Sequence, residues 1–199
     1  MINLSSLDIN NKNLVIRVDM NVPIKDGSIL DSTRIEASLP TINYALKNNA
    51  KILLISHLGR PIEGKYDEGF SLKPVAKYLS KIINEPCKVI DDLDSKSFFN
   101  KESNIQLLEN IRFFEGEKAN CKDLGAKLAG LGDIYVFDAF GTAHREQAST
   151  HSAIECASIA CAGLLLEKEN KFLTKALKNN ESPFLAVIGG AKVSSKLEL

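Results

Sequence analysis

The chain has 199 residues, enough to bury one good core, and its 44% hydrophobic content makes global disorder a poor reading. Its 25 Lys and Arg balance 25 Asp and Glu, which argues against an extended nucleic-acid surface, where a basic excess or stripe is required. No apolar run approaches the roughly 20 residues of a membrane span, and the start, MINLSSLDINNKN, lacks the basic-then-apolar pattern of a secretory signal. Cys87, Cys121, Cys156 and Cys161 form no close metal-type pair, so they read as reduced thiols in a cytoplasmic protein.

In chain order, NLVIRV at 13–18 is the first predicted strand, and IKDGSIL at 24–30 an added hairpin turned by Asp26-Gly27. TRIEASLPTINYALKNN puts Ile35, Leu39, Ile42 and Leu46 on one helical stripe; Pro40 is tolerable if the helix starts late or kinks. KILLIS at 51–56 is the second strand of the main sheet. SLKPVAKYLSKIINE follows as a helix capped at Ser71, with Leu72, Val75, Leu79 and Ile82 together. Strands follow at CKVI (87–90) and IQLLEN (105–110), then a shorter glycine-ended helix in CKDLGAKLAGLG and a fifth strand in DIYVFD (133–138). From Thr150 onward a short helix and a longer one are expected, jointed at Gly163 and offering Leu164, Leu165, Phe172 and Leu173 as an apolar face. After Pro183, FLAVIGGAKVSSKLEL reads as a strand, a double-glycine turn and the first turns of a helix. The alternation predicts a three-layer αβα domain, doubly wound around a mainly parallel, Rossmann-like sheet, followed by an incomplete second domain.

The chain has only five arginines, and four of them follow strand ends or their polar exits. Arg60 follows the second main strand in SHLGRP, Arg112 the fourth in LLENIRFF, and Arg145 the fifth in FDAFGTAHRE. Arg34 opens the first long helix, close in sequence to the exit VDMNVP of the first strand. In a doubly wound sheet these positions share the carboxyl-end crevice, where ligands gather. Guanidinium forks suit carboxylate and phosphate oxygens, so a small, strongly anionic ligand is expected, against surface salt bridges as the plainer reading. Arg17, inside VIRVD, is expected to meet a carboxylate near the sheet edge instead. Asp19 and Asn21 leave the first strand together, able to accept from and donate to ligand groups or simply to cap a turn. His57 either binds and neutralises anionic oxygens or closes its turn; no nucleophile signature accompanies it. His144 and His151 read as caps or packing. Lys192 and Lys196 share a face near a helix amino terminus that favours phosphate. Neither a Walker loop nor a GxGxxG is present.

Taken together, RVDMNVP, TRI, SHLGRP, LLENIRF, DAFGTAHR and GGAKVSSK, in this order and spacing, closely resemble the phosphoglycerate kinase family. The resemblance implies an amino-terminal triose-phosphate-binding domain over 1–162, a connecting helix over 163–182 and the start of a nucleotide-binding domain over 183–199. It implies a glycolytic enzyme, monomeric at full length, that moves a phosphoryl group reversibly between 1,3-bisphosphoglycerate and ADP, giving 3-phosphoglycerate and Mg-ATP. Asp19, Met20, Asn21, Arg34, His57, Leu58, Gly59, Arg60, Arg112 and Arg145 would then bind the triose phosphate. Of these, His57, Arg60, Arg112 and Arg145 would surround the non-transferred phosphate, with Asp19 and Asn21 at the glycerate hydroxyl and carboxyl end. Arg34 and Lys192 would be catalytic, and Lys192 and Lys196 would touch nucleotide phosphates. The rest of the ATP/ADP site and its Mg2+ carboxylate would come from a carboxy-terminal domain, so this chain is expected to bind 3-phosphoglycerate without turnover. No metal site, nucleic acid or membrane is expected. Phe137, where the family usually has asparagine, Glu146-Gln147 in EQAS, Met20 and Ser195 depart from its pattern. The rival readings are a stand-alone organic-phosphate-binding module and a phosphatase; the latter lacks a nucleophile signature or metal cluster.

Overall fold

A computed structural model describes residues 1–93, 99 and 103–178. Its centre is a six-stranded, wholly parallel sheet in the order β5-β6-β4-β1-β7-β8. These strands are β1 (Asn13–Val18), β4 (Lys51–Ile55), β5 (Cys87–Ile90), β6 (Ile105–Leu108), β7 (Ile134–Asp138) and β8 (Ala160–Ala162). Inner strands of such a sheet are covered on both faces, so their sequences are apolar throughout rather than alternating. The alternation appears instead in which core each residue joins. Leu14 and Ile16 of β1 and Ile52 and Leu54 of β4 enter one core, while Val15, Leu53 and Ile55 enter the other.

The first core is closed by α1 (Thr33–Lys47) and α2 (Lys73–Ile83), the second by α3 (Lys122–Ala129) and α4 (Ala153–Cys156). A fifth helix, α5 (Leu164–Lys178), packs along α1 and the end of β7. The three layers agree with the predicted class. β1 is the strand at which the winding reverses: β4 pairs on one side of it and β7 on the other. Its carboxyl end is therefore the crevice of the fold. The two-residue hairpin of β2 (Ile24–Lys25) and β3 (Ser28–Ile29) stands just beyond, with Asp26 and Gly27 at φ 50° and 72°, the left-handed pair that such turns require.

Several expectations differ from what is found. α1 begins at Thr33 and runs through Pro40, so the proline is not accommodated by a late start. Ser71 lies one residue before the cap position of α2 and accepts from Lys73 N–H; the donor of Leu72 is taken by Glu109 Oε1 at 2.7 Å. The segment expected as continuous helix up to Gly163 contains β8, which pairs with β7 and is covered at its outer edge by the Asn3–Ala162 bridge. Three residues of small side chain carry no readable period, and Ala favours helix intrinsically; pairing with β7 overrides that preference. Cys161 is accordingly buried on a strand, whereas Cys156 is exposed at the end of α4. Leu164 and Leu165 are half-buried, but Phe172 and Leu173 are exposed, so only the first turns of α5 use the apolar face read from its sequence. The predicted strand and helix after Pro183, with Lys192 and Lys196, lie outside the described residues.

Candidate functional site

The turn SHLGRP leaves β4 beside the end of β1. Asn110, just after β6, shapes it: its Oδ1 accepts from Leu58 N–H at 3.2 Å and its Nδ2 donates to Leu58 O at 2.7 Å. Gly59 takes φ +59°, and a Cβ there would lie 2.3 Å from the Phe70 ring, so conformation and space both require glycine. Its N–H donates to Asn21 Oδ1 at 2.9 Å, and its carbonyl accepts from Arg112. The exits of β1, β4 and β6 are thus tied into one surface. The exit of β7 reaches the same surface, where Arg145 lines a hollow with Arg60 and Arg112.

Arg60, Arg112 and Arg145 line one hollow of about 530 Å³, together with Lys118, Glu146 and Gln147. Among the described residues the guanidiniums of Arg60 and Arg145 have no hydrogen-bond or ion-pair partner. Arg112 is 95% buried, yet its Nε has no partner either. Burial, with Arg145 and Arg17 nearby, pushes the Arg112 guanidinium below its ordinary pKa. An unpaired buried donor is costly, and an anion in this hollow would supply the partner that Arg112 Nε lacks. A smaller hollow of about 220 Å³ adjoins the first helix and holds Asp19, Arg34, Asp138 and Gly141. Arg34 donates to Asp19 Oδ2 at 2.7 Å.

His57 and Arg17 are buried nearby, with His57 Nδ1 4.0 Å from Asp19 Oδ1. Arg17 is central in the sheet, not at its edge, because β1 is flanked by β4 and β7. It reaches its carboxylate through a hydroxyl: Arg17 Nε donates to Ser149 Oγ at 2.9 Å, and Ser149 Oγ donates to Glu117 Oε1 at 2.6 Å. The Ala148–Ser152 π turn places Ser149 there. Glu117 is buried and pushed above its ordinary pKa by desolvation, against the pull of Arg17. The remaining amino group of Arg17 lies 3.4 Å from His57 Nδ1. Because arginine only donates, Nδ1 accepts and the ring proton sits on Nε2. Burial first, then the arginines, push the His57 pKa down to about 2. His57 is therefore neutral here, which differs from the charge neutralisation expected of it.

Arg34, His57, Arg60, Arg112 and Arg145 all lie at the carboxyl-end crevice, with Asp19 and Asn21 between them. Met20 and Leu58 are in the same stretches, but their side chains are packed in the core, which leaves only their main chain to face a ligand. Phe137 does not displace the end of β7, which closes at Asp138 as expected; it sits in register with Arg17. Sequence reasoning missed Lys118, Asn110 and Glu117. Asn110 lies inside LLENIRF but reads there only as a strand end, Glu117 carries no motif signal, and Lys118 is one lysine among many.

The family model for phosphoglycerate kinase matches residues 4–199. The chain belongs to the phosphoglycerate kinase family. It is 50% identical over 197 residues to a phosphoglycerate kinase of Francisella tularensis subsp. novicida, and 50% identical over 196 residues to one of Desulfovibrio desulfuricans; each comparison covers 98% of this chain and 50% of the relative. Among solved structures, phosphoglycerate kinase from Coxiella burnetii superposes with a TM-score of 0.89 at 46% identity, covering 98% of this chain and 50% of that one. The enzyme from Pyrococcus horikoshii OT3 gives 0.86 at 32% identity, over 100% and 51%. The chain spans about half the length of the phosphoglycerate kinases it matches.

Proposed function

We propose that this chain is the triose-phosphate-binding half of a phosphoglycerate kinase, which transfers a phosphoryl group reversibly between 1,3-bisphosphoglycerate and ADP, giving 3-phosphoglycerate and ATP. The observation that carries the reading is the hollow in which Arg60, Arg145 and the Nε of Arg112 face one another without partners. In this reading the non-transferred phosphate sits there, with His57 Nε2–H as a neutral donor. The glycerate hydroxyl and carboxyl end extend toward Asp19, Asn21 and Arg34. Arg34 is exposed and held by Asp19 alone among the described residues, so it is free to turn toward a transferring phosphoryl group. Such transfer needs positioning and charge stabilisation more than a protein nucleophile.

The proposed division is a substrate domain over 1–162, a connecting segment over 163–182 and a nucleotide-binding start over 183–199. Among the described residues no group of three or more His, Cys, Asp or Glu side chains could hold a metal. ATP or ADP with Mg2+, which would supply and accept the phosphoryl group, is proposed to meet this chain at Lys192 and Lys196. Closure of two domains expels water and aligns the reacting oxygens, so one half binds without turnover.

Calorimetric titration with 3-phosphoglycerate tests this. Binding should weaken with salt, and Arg60→Ala should weaken it more than the exposed Lys77→Ala. A coupled ATP-consumption assay of the chain should show essentially no turnover. Equal effects of the two substitutions, or no binding, would remove the reading in favour of a different ligand for the hollow. Robust turnover would remove the two-domain division.

A further inference from the structure

We propose that Lys118 is an additional phosphate-binding residue that sets how tightly the hollow holds a phosphorylated acid; the inference deepens, and rests on, the reading above. Lys118 follows Glu117 in the loop between β6 and α3, and it is anchored at both ends. Its N–H donates to Glu63 Oε1 at 2.8 Å, and its Nζ donates to Pro61 O at 3.0 Å, one residue beyond Arg60. These bonds hold an ammonium at the wall of the hollow shared by Arg60, Arg112 and Arg145.

The ammonium has three donors and uses one. Among the described residues it has no ion pair: Glu63 is engaged by the Lys118 main chain, not by its charge. An exposed lysine whose purpose is solubility gains nothing from being fixed against three arginines, since like charges held together repel. The arrangement is favourable only when an anion joins it. Four cations and one carboxylate, Glu146, line the hollow. A phosphomonoester carries about −1.5 to −2 at neutral pH, and the second negative charge of a phosphorylated acid adds to this. With Lys118 the lining exceeds the charge of the phosphate, and the buried Arg112 Nε supplies a donor already stripped of water.

The competing role is mechanical, with Lys118 merely stapling 61–64 to the following loop. That staple is already doubled by Gly64 N–H to Phe113 O at 2.9 Å. The two roles separate in Lys118→Gln, which keeps a donor for Pro61 O and removes the charge, and in Lys118→Arg, which keeps the charge. Each variant and the wild-type chain are titrated by calorimetry with 3-phosphoglycerate and with inorganic phosphate. Lys118→Gln should bind both probes about two- to fivefold more weakly, as loss of one partly screened charge contact implies, while Lys118→Arg stays near wild type. If Lys118→Gln binds as wild type, or if both variants weaken alike, the inference is overturned and the proposed function stands. If the wild-type chain binds neither probe, the proposed function fails and this inference fails with it.

Discussion

His57 makes acid lability a property of the site. In the unfolded chain its imidazole titrates near its ordinary 6.5, whereas burial beside Arg17 holds it near 2 in the fold. Below 6.5 the unfolded state therefore takes up a proton that the native state refuses. Stability is fully present above 6.5 and is lost as the pH falls from 6.5 toward 2. The loss approaches about 1.4 kcal/mol per pH unit. From about pH 7 to about pH 5 it integrates to about 2 kcal/mol, and since pH 5 is far above 2 this figure depends almost wholly on the unfolded pKa. Urea unfolding of the wild-type chain and of His57→Asn, whose carbonyl can replace Nδ1 as the acceptor for Arg17, isolates the effect. Every other titrating group is common to both proteins and cancels in the difference. The wild-type chain should lose about 2 kcal/mol more than the variant over that interval. Identical pH slopes in the two proteins would refute the buried neutral histidine.

Gly59→Ala should lower stability by more than about 1 kcal/mol in urea unfolding, from its left-handed φ alone, and should weaken 3-phosphoglycerate binding, because the Arg112 and Asn21 contacts share that turn. Burial pushes the Cys87 and Cys161 thiols up to about 12, so a maleimide at mildly alkaline pH should label exposed Cys156 quickly and those two only on unfolding, as peptide mass mapping would report. Asp138→Ala should raise amide exchange at the first turn of α5 about fivefold, the scale of a lost capping side chain, since Asp138 accepts from Leu166 N–H at 2.9 Å.

The central strands were legible because a sheet covered on both sides writes itself as unbroken apolar runs, as in KILLI and IYVF. β8 was not, because Ala160–Ala162 offers neither length nor branched side chains and owes its conformation to β7 and to residues 2–3. The site was legible in its arginines, which stand out by scarcity and by position after strands. What supports them was not. Arg17 looked like an edge residue until the order of strands put it in the middle. Glu117, Ser149 and Asn110 act through partners 32 to 132 positions away, a relation that no local spacing encodes.

Asp138 binds three elements at one point. Its strand ends in the crevice, Thr41 Oγ1 of α1 donates to it at 2.6 Å, and Thr41 Oγ1 also accepts from Leu164 N–H at 3.0 Å. Gly163 leaves no slack, since a Cβ there would lie 2.3 Å from the Asp138 carboxyl carbon. The first turn of α5 is thus a post set in a socket, and the socket opens onto the smaller hollow lined by Asp19 and Arg34. The 15 residues of the helix extend about 22 Å from it. A tilt of about 10° at the socket moves Lys178 by about 4 Å at that length. A displacement at the crevice floor smaller than a bond length therefore reaches the far end of the helix as a shift wider than a hydrogen bond.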